Sequence, residues 1–295
     1  MSLKKVVSIA GTLLMLVSLV FIGRQLMQHG MDFSVITVPV VIGLIAIIAL
    51  EAFIIILTSL NYRDLIKNIS NIRVSTSLAL SVYTISNLYK YIPGGLLYVA
   101  GRNRLALEIK DVSHVKVALA TALEAVLFVV TCVTLVAALI FDHFVYYLGE
   151  KTIIVFVGIL VVFIMLALIF RERIKLNVIE KPLWLTIVKR FLNTLLLMIL
   201  WGASFGFVTI IMGQAMTVEL FVAVMGLYSL AWLIGDLTPG APSGLGIREA
   251  IMLMFLGGTI DEGLLISVIL VHRVVAVLGD VLAYVIAVIF NQLSS

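Results

Sequence analysis

Four ionisable residues lie inside long apolar segments of this 295-residue chain: Glu51, Glu124, Arg273 and Asp280. A charged side chain at a bilayer centre costs roughly 2.5–3.5 kcal/mol on insertion scales, so such residues mark a functional site by default. Asp280 follows Arg273 by two helical turns and therefore shares its face. We expect Glu124 and Arg273 to line a substrate path, with a structural ion pair between them as the alternative. Glu51 and Asp280 fit either kind of role.

Two sequences rich in Pro and Gly interrupt apolar segments, and the polar residues within them form a second set of candidate site residues. They read YKYIPGGL at 89–96 and DLTPGAPSGLGIRE at 236–249. Pro and Gly end one helix and let another begin. The restarting helix presents unpaired N–H groups and the positive end of its dipole, which suits an anion such as a lipid phosphate. Ordinary surface loops are the alternative.

We therefore predict a substrate-binding site at these breaks, with Lys90 and Arg248 adding full positive charges. The candidate substrate-binding residues are Lys90, Pro93, Gly94, Gly95, Glu124, Asp236, Pro242, Ser243, Gly244, Arg248, Glu249 and Arg273.

The composition requires elements that cross a membrane. Hydrophobic residues make up 63% of the chain and charged residues 12%, whereas soluble domains are nearer half apolar and a quarter charged. A soluble globular enzyme is excluded. Six segments are long enough to span a bilayer: 6–28, 35–60, 115–141, 152–170, 183–212 and 264–290. We predict an all-α polytopic membrane protein. The small residues Gly202, Ala203, Ser204 and Gly206 further predict close helix packing.

Motifs of familiar enzyme chemistry are absent from the sequence. There is no HExxH, P-loop or GxGxxG sequence, and the four histidines never fall at metal-ligand spacing. The single cysteine, Cys132, lies in an apolar run, which excludes a disulfide framework. We expect no catalytic residue, no metal and no cofactor.

The basic residues predict the orientation of the chain. Fifteen of the 20 Lys and Arg residues fall in four clusters, at 4–5, 63–73, 102–116 and 171–190. The positive-inside rule places these clusters in the cytoplasm. We expect a protein of the cytoplasmic membrane with both termini on the cytoplasmic side. The stretch 74–107, flanked by two cytoplasmic clusters, must enter the membrane and return. A re-entrant hairpin that breaks at 93–95 is expected, because the return arm is too short to span, and two full spans are the alternative. The basic residues form no continuous patch, so nucleic acid is not an expected partner.

The second half of the chain repeats the first at a constant offset. Three pairs lie 149 positions apart: Pro93 and Pro242, Gly95 and Gly244, and Glu124 and Arg273. We predict two repeats, 1–145 with a re-entrant segment at 74–107 and 146–295 with one at 218–257. Each has three transmembrane helices and one broken hairpin. Three crossings make the halves inverted copies, an architecture typical of secondary transporters; a chance alignment of hydrophobic sequences is the alternative.

The run PGAPSGLGIRE at 239–249, followed by an apolar helix and a span containing Arg273, resembles the lysylphosphatidylglycerol synthase transmembrane family of flippase-like proteins. The first break and Glu124 match the same pattern in order. The resemblance covers nearly the whole chain and implies lipid translocation. Two-part members of that family move aminoacylated phosphatidylglycerol made by an attached synthase domain. The sequence ends at Ser295, and we expect a stand-alone membrane region without such a domain.

The expected function is therefore a lipid flippase that works by alternating access. Its substrate would be a phosphatidylglycerol derivative or a polyprenyl-phosphate-linked sugar, and a homo-oligomer is compatible with the sequence. One alternative is a membrane partner subunit of a lipid-modifying enzyme. Another is an intramembrane serine hydrolase, because APSG at 241–244 approaches the GxSG of rhomboid-type proteases and His272 would be its base. Ser243 is more simply the cap of the restarting helix.

Overall fold

The computed structural model describes residues 24, 27, 37–91, 97–109, 112–140, 183–238 and 241–294, and these contain helices but no strand. The predicted spans 6–28 and 152–170 lie outside this part of the chain, apart from Arg24 and Met27. The helices are α1 (Val38–Ser70), α2 (Thr76–Leu88), α3 (Leu97–Arg102), α4 (Arg104–Glu108), α5 (His114–Leu139), α6 (Leu183–Ile211), α7 (Val218–Leu237), α8 (Ile247–Leu256) and α9 (Glu262–Ser294). A 3-10 turn at Tyr89–Tyr91 follows α2, and a second 3-10 turn at Pro242–Gly244 precedes α8.

Five of the described helices are long and apolar enough to cross a membrane: α1, α5, α6, α7 and α9. Four of them coincide with predicted spans. The fifth, α7, is the segment that the sequence assigned to a hairpin arm, and its 20 residues suffice for a crossing. Large apolar side chains such as Ile45 and Phe53 of α1 and Val285 and Ile289 of α9 are exposed. Such outward apolar surfaces fit a protein whose surroundings are lipid.

Three helices begin at hydroxyl side chains that accept a hydrogen bond from the first helical turn. Ser75 accepts from the Leu78 N–H, Ser113 from the Lys116 N–H and Thr217 from the Leu220 N–H. Each bond satisfies one of the donors that a helix start leaves unpaired. Polar Ser and Thr at these positions thus define where α2, α5 and α7 begin.

Small residues allow the long helices to approach closely. A side chain added at Gly202 of α6 would meet the backbone of Met225 in α7, and one added at Gly206 would meet the Phe221 ring. The close packing that the sequence predicted at these two glycines is confirmed. On the other side of the bundle, Gly279 of α9 lies against Glu51 of α1.

Two pairs of helices fold back on each other and bring the turns together. In the first pair, α2 packs against α3 at Gly101, where an added side chain would collide with Ser86 and Tyr89. In the second, α7 packs against α8, where Gly235 lies against Gly244. We call these pairs hairpin 1 and hairpin 2. The 3-10 turns of the two hairpins contact each other, so the polar residues of both breaks share one region.

The distribution of Lys and Arg predicts a labelling pattern that exposed residues of the structure can test. Ala215, between α6 and α7, and Asn68, near the end of α1, are both exposed. In a chain whose buried Cys132 is replaced by alanine, Ala215→Cys should react with an impermeant thiol reagent added outside intact cells, and Asn68→Cys should react only after the cells are opened. Equal labelling of both in intact cells would contradict the orientation.

Candidate functional site

One carboxylate of α9, that of Asp280, binds three residues of hairpin 1 and its turn. Asp280 is 3% exposed and accepts hydrogen bonds from Asn87 Nδ2 at 2.8 Å and from the Tyr91 hydroxyl at 2.5 Å. Lys90 Nζ lies 2.7 Å from its second oxygen. Three donors therefore compensate for burying this charge in the bundle. Lys90, predicted to face an anionic substrate, instead neutralises Asp280 in this structure.

Hairpin 2 is anchored to the same helix through Arg273. Its Nη2 donates to the backbone oxygen of Ser243 at 3.2 Å, and its Nη1 lies 3.5 Å from Glu249 Oε1. Glu249 is buried, and its other oxygen has no hydrogen-bond partner among the described residues. Because Arg273 and Asp280 lie two turns apart on α9, this helix holds both hairpins.

Among the described residues, no side chain or backbone oxygen accepts a hydrogen bond from Arg248. Its guanidinium lies over the Trp232 ring, 5.3 Å from the centroid, and its Nε is buried without a hydrogen-bond partner in the described part of the chain. The side chain passes over Gly235 and Gly244, where an added Cβ would collide with it. These glycines therefore make room for Arg248. The positive φ of Gly244, +65°, is a second reason for a glycine there.

Asp236 provides negative charge opposite these cations. Its side chain is exposed, yet the charges of Arg248, Lys90 and Arg102 all act on it. Asp236 therefore adds a negative charge to the region in which these cations lie. We call Lys90, Asp236, Arg248, Arg273 and Asp280 the polar centre.

The start of α8 differs from the sequence prediction. Gly246, with φ +84°, is the N-cap residue, and no side chain caps this helix. Ser243 has φ +50° and lies within the preceding 3-10 turn. The prediction that Ser243 caps the helix is therefore wrong, because the 3-10 turn and Gly246 intervene. The first N–H groups of α8 have no side-chain acceptor and lie next to Arg248.

Glu124 belongs to a separate buried cluster. It forms an ion pair with Arg102 and accepts a hydrogen bond from the Tyr83 hydroxyl at 2.9 Å. The Arg102 guanidinium lies over two rings, 4.4 Å from the Tyr83 centroid and 4.9 Å from that of Tyr62. We call these four residues the Arg102 cluster.

The Arg102 cluster corrects two sequence predictions. The alternative of an ion pair between Glu124 and Arg273 is not realised, because each residue has a partner in its own half of the chain. Arg102, counted among the basic residues of a cytoplasmic loop, is 5% exposed. One feature of the sequence could have identified this arginine. It lies on the helix that returns from the first break, 22 residues before an intramembrane glutamate.

The remaining candidates are placed as follows. Pro93, Gly94 and Gly95 lie outside the described residues, and Pro242 opens the 3-10 turn of hairpin 2. The serine-hydrolase alternative paired Ser243 with His272. In the structure His272 Nε2 lies 3.1 Å from the hydroxyl of Ser204 instead, so His272 is engaged elsewhere.

A site for a metal ion is not formed by the described residues, which include no suitable group of three His, Cys, Asp or Glu side chains. The chemistry of the polar centre is instead that of a guanidinium and helix N–H groups, which bind anions.

Comparison with protein-family models found no match, and comparison with curated proteins found no match either. The resemblance to the lysylphosphatidylglycerol synthase transmembrane family therefore stays a prediction.

Proposed function

We propose that this chain is a lipid translocase of the cytoplasmic membrane that moves a phosphate-containing lipid between leaflets. Arg248 is the observation that carries the proposal. A guanidinium has five N–H donors, and Arg248 makes no hydrogen bond to another described residue, although it is held in place by Trp232, Gly235 and Gly244. Leaving a buried charged donor unpaired costs at least about 1–3 kcal/mol, so the arrangement favours an acceptor supplied by a ligand.

A phosphate group supplies that acceptor. Two of its oxygens match the fork of a guanidinium, and charge-assisted bonds of this kind are the strongest hydrogen bonds in proteins. The uncapped start of α8 adds N–H groups and the positive end of its dipole at the same place. Asp236 balances the charge of Arg248 while no phosphate is bound. It repels a bound phosphate, which weakens binding and thereby favours release.

The two hairpins support a mechanism with two halves. Arg102 on the returning helix of hairpin 1 pairs with Glu124 on α5, and Glu249 on the returning helix of hairpin 2 pairs with Arg273 on α9. In the first pair the arginine lies on the returning helix, whereas in the second pair the glutamate does. The helices that the two pairs join are equivalent in the two halves of the chain. Tyr83 and Trp232, 149 positions apart, each carry an arginine over the ring.

In the proposed inverted arrangement, hairpin 1 enters from the cytoplasm and hairpin 2 from outside, and both end at the polar centre. Movement of one hairpin relative to the other then opens the centre to one leaflet at a time. The headgroup crosses between the hairpins while the hydrocarbon tails stay in the bilayer, since apolar tails gain nothing by leaving it.

Reconstitution of the purified chain into vesicles tests the proposal. Two head-labelled lipids should be compared, a phosphatidylglycerol derivative and a polyprenyl-phosphate-linked sugar, each with a membrane-impermeant quencher added outside. We expect the protein to bring at least one of them from the inner to the outer leaflet faster than protein-free vesicles do. A labelled lipid without phosphate, such as a diacylglycerol sugar, is the matched substrate control.

The outcomes separate the proposal from its main alternative. Movement of both phosphate lipids but not the control would assign the site to the phosphate itself. Failure of the folded chain to move any of them would overturn the proposal and favour the role of a partner subunit for another lipid enzyme.

A further inference from the structure

A second polar cluster lies in the bundle and takes no part in holding the hairpins. Glu51 of α1, Ser204 of α6 and His272 of α9 are 3%, 0% and 5% exposed. The Ser204 hydroxyl donates to Glu51 Oε1 and lies 3.1 Å from His272 Nε2. Trp201 Nε1 donates to the other Glu51 oxygen at 2.9 Å. We call Glu51, Ser204 and His272 the buried triad.

The geometry of the buried triad does not suit a hydrolase. A catalytic histidine contacts the nucleophile through one ring nitrogen and the carboxylate through the other. Here Nε2 faces both partners, because Glu51 Oε1 lies 3.6 Å from the same nitrogen. The burial of all three side chains also leaves no path for a substrate to reach Ser204.

The hydrogen bonds of the buried triad accommodate two protonation states. With Glu51 ionised, its carboxylate accepts from Ser204 and Trp201, and Ser204 accepts from an Nε2–H of His272. With Glu51 protonated, its hydroxyl donates to Ser204, which then donates to Nε2 or to the backbone oxygen of Trp201 at 2.8 Å. A hydroxyl can both donate and accept hydrogen bonds. The Ser204 hydroxyl therefore has partners in both protonation states of Glu51.

Other titratable groups near the buried triad leave it as a distinct unit. Tyr228 of α7 meets the His272 ring edge-on at 5.4 Å, and the charges of Glu51, Arg248, Arg273 and Asp280 act on it. Arg273 and Asp280 have partners of their own in the hairpins. Two further helices, α2 and α5, pack on α1. Tyr83 of α2 and Glu124 of α5 are bonded to each other, and the other titratable residues of α5 are His114 and Lys116 in its first turn and the buried Cys132.

Helix α9 connects the buried triad to the polar centre. His272 directly precedes Arg273, which holds hairpin 2. Gly279, packed against Glu51, directly precedes Asp280, which holds hairpin 1. A change of charge at Glu51 and His272 alters the contacts of α9 with α1 and α6 at the positions next to both anchors.

We propose that Glu51, Ser204 and His272 form an intramembrane proton-binding site that couples a proton gradient to movement of the two hairpins. The coupling part rests on the proposed translocase function. A proton from water on one side forms the O–H bond of Glu51, which stabilises one arrangement of α9, and it returns to water on the other side when that arrangement changes. Binding the proton requires no co-reactant.

Trp201 offers a direct readout of proton binding that needs no substrate. In a chain with Trp184→Phe and Trp232→Phe, Trp201 is the only tryptophan left of three. We expect its fluorescence to follow a single titration with pH, because its indole N–H bonds to Glu51. Glu51→Gln should abolish the titration, and His272→Gln should shift it.

The matched control for this titration is Thr58→Val. This substitution removes a buried hydroxyl two turns away on the same helix, one that bonds only to the Ile54 carbonyl, and it should leave the titration in place. Infrared spectra provide a second measurement, in which subtracting the spectrum of Glu51→Gln from that of the native chain at each pH should leave a protonated-carboxyl band that grows as the pH falls.

Coupling is tested in vesicles with the otherwise native chain. A pH gradient should accelerate lipid movement, and Glu51→Gln should remove that acceleration. The proton site would be overturned if neither the Trp201 fluorescence of the single-tryptophan chain nor the infrared difference between the native chain and Glu51→Gln changes with pH, even if lipid movement is observed. Titration without any lipid movement would leave the proton site standing and overturn the proposed translocase. Movement that ignores the gradient despite titration would overturn the coupling.

Discussion

Arg248→Ala is expected to reduce lipid movement in vesicles to the rate without protein. Each hydrogen bond between a charged donor and a phosphate is worth about 1.5–3 kcal/mol. Loss of a two-donor contact therefore weakens headgroup binding by about 100-fold or more. The measurement is the initial rate of headgroup transfer together with binding of the labelled lipid to the purified protein.

Folding of the Arg248→Ala protein should be nearly unchanged. In the structure the guanidinium stacks on Trp232 and has no ion pair within the described ranges, and a cation–π contact contributes only about 0.5–2 kcal/mol. Thermal unfolding and elution from a sizing column establish that the variant is folded. A folded variant that still moves lipid at the native rate would show that the phosphate site lies elsewhere.

Two matched variants sharpen the Arg248 experiment. Arg248→Lys keeps the charge but loses the planar fork, so we expect activity between that of the native chain and that of the alanine variant. Ser243→Ala should leave most of the movement intact, because the contact of Ser243 with Arg273 uses the backbone oxygen. An intramembrane serine hydrolase would give the reverse order, with Ser243 indispensable.

The sequence predicted the long helices well because their apolar surfaces face lipid. Hydropathy detects a span because the side chains that face lipid are apolar. The helices α1, α5, α6 and α9 coincide with predicted spans. The break between α7 and α8 was also predictable, since Pro and Gly end helices through local chemistry, whereas Pro93, Gly94 and Gly95 of the first break lie outside the described residues. Hydropathy leaves open whether α7 crosses the membrane or belongs to a re-entrant hairpin, because both need a similar apolar length.

Partner choice among buried charges was not predictable, because it depends on which helices meet. Glu51 bonds to Trp201 and Ser204 of α6, and hydropathy does not identify which polar residues of two spans meet. Arg102 was assigned to the cytoplasm because the positive-inside rule treats a basic residue near a span as exposed. Its burial follows from the return of α3 into the bundle, where Glu124 and two tyrosine rings receive it.

Breaking the Arg102 cluster is expected to have the largest effect on stability. Glu124→Gln removes the carboxylate that pairs with the buried Arg102 guanidinium, and removing one partner of a buried ion pair typically costs about 3–5 kcal/mol. Arg102→Met should cost a similar amount by leaving the carboxylate unpaired. Because the native pair also carries a desolvation penalty, the double variant Arg102→Met with Glu124→Gln should lose less stability than the sum of the two single losses.

The contrast with Arg273 makes this prediction specific. Glu124 and Arg273 occupy equivalent positions in the two halves but have separate partners, so the losses from Glu124→Gln and Arg273→Gln should add to within about 0.5 kcal/mol. Both cycles are measured by unfolding in mixed micelles, followed by helical circular dichroism. Strict additivity between Arg102 and Glu124, or a large coupling between Glu124 and Arg273, would contradict the pairing. The Arg102–Glu124 and Arg273–Glu249 pairs then each act within one half of the chain, whereas Lys90–Asp280 and Arg190–Asp64 are charge pairs that join the two halves.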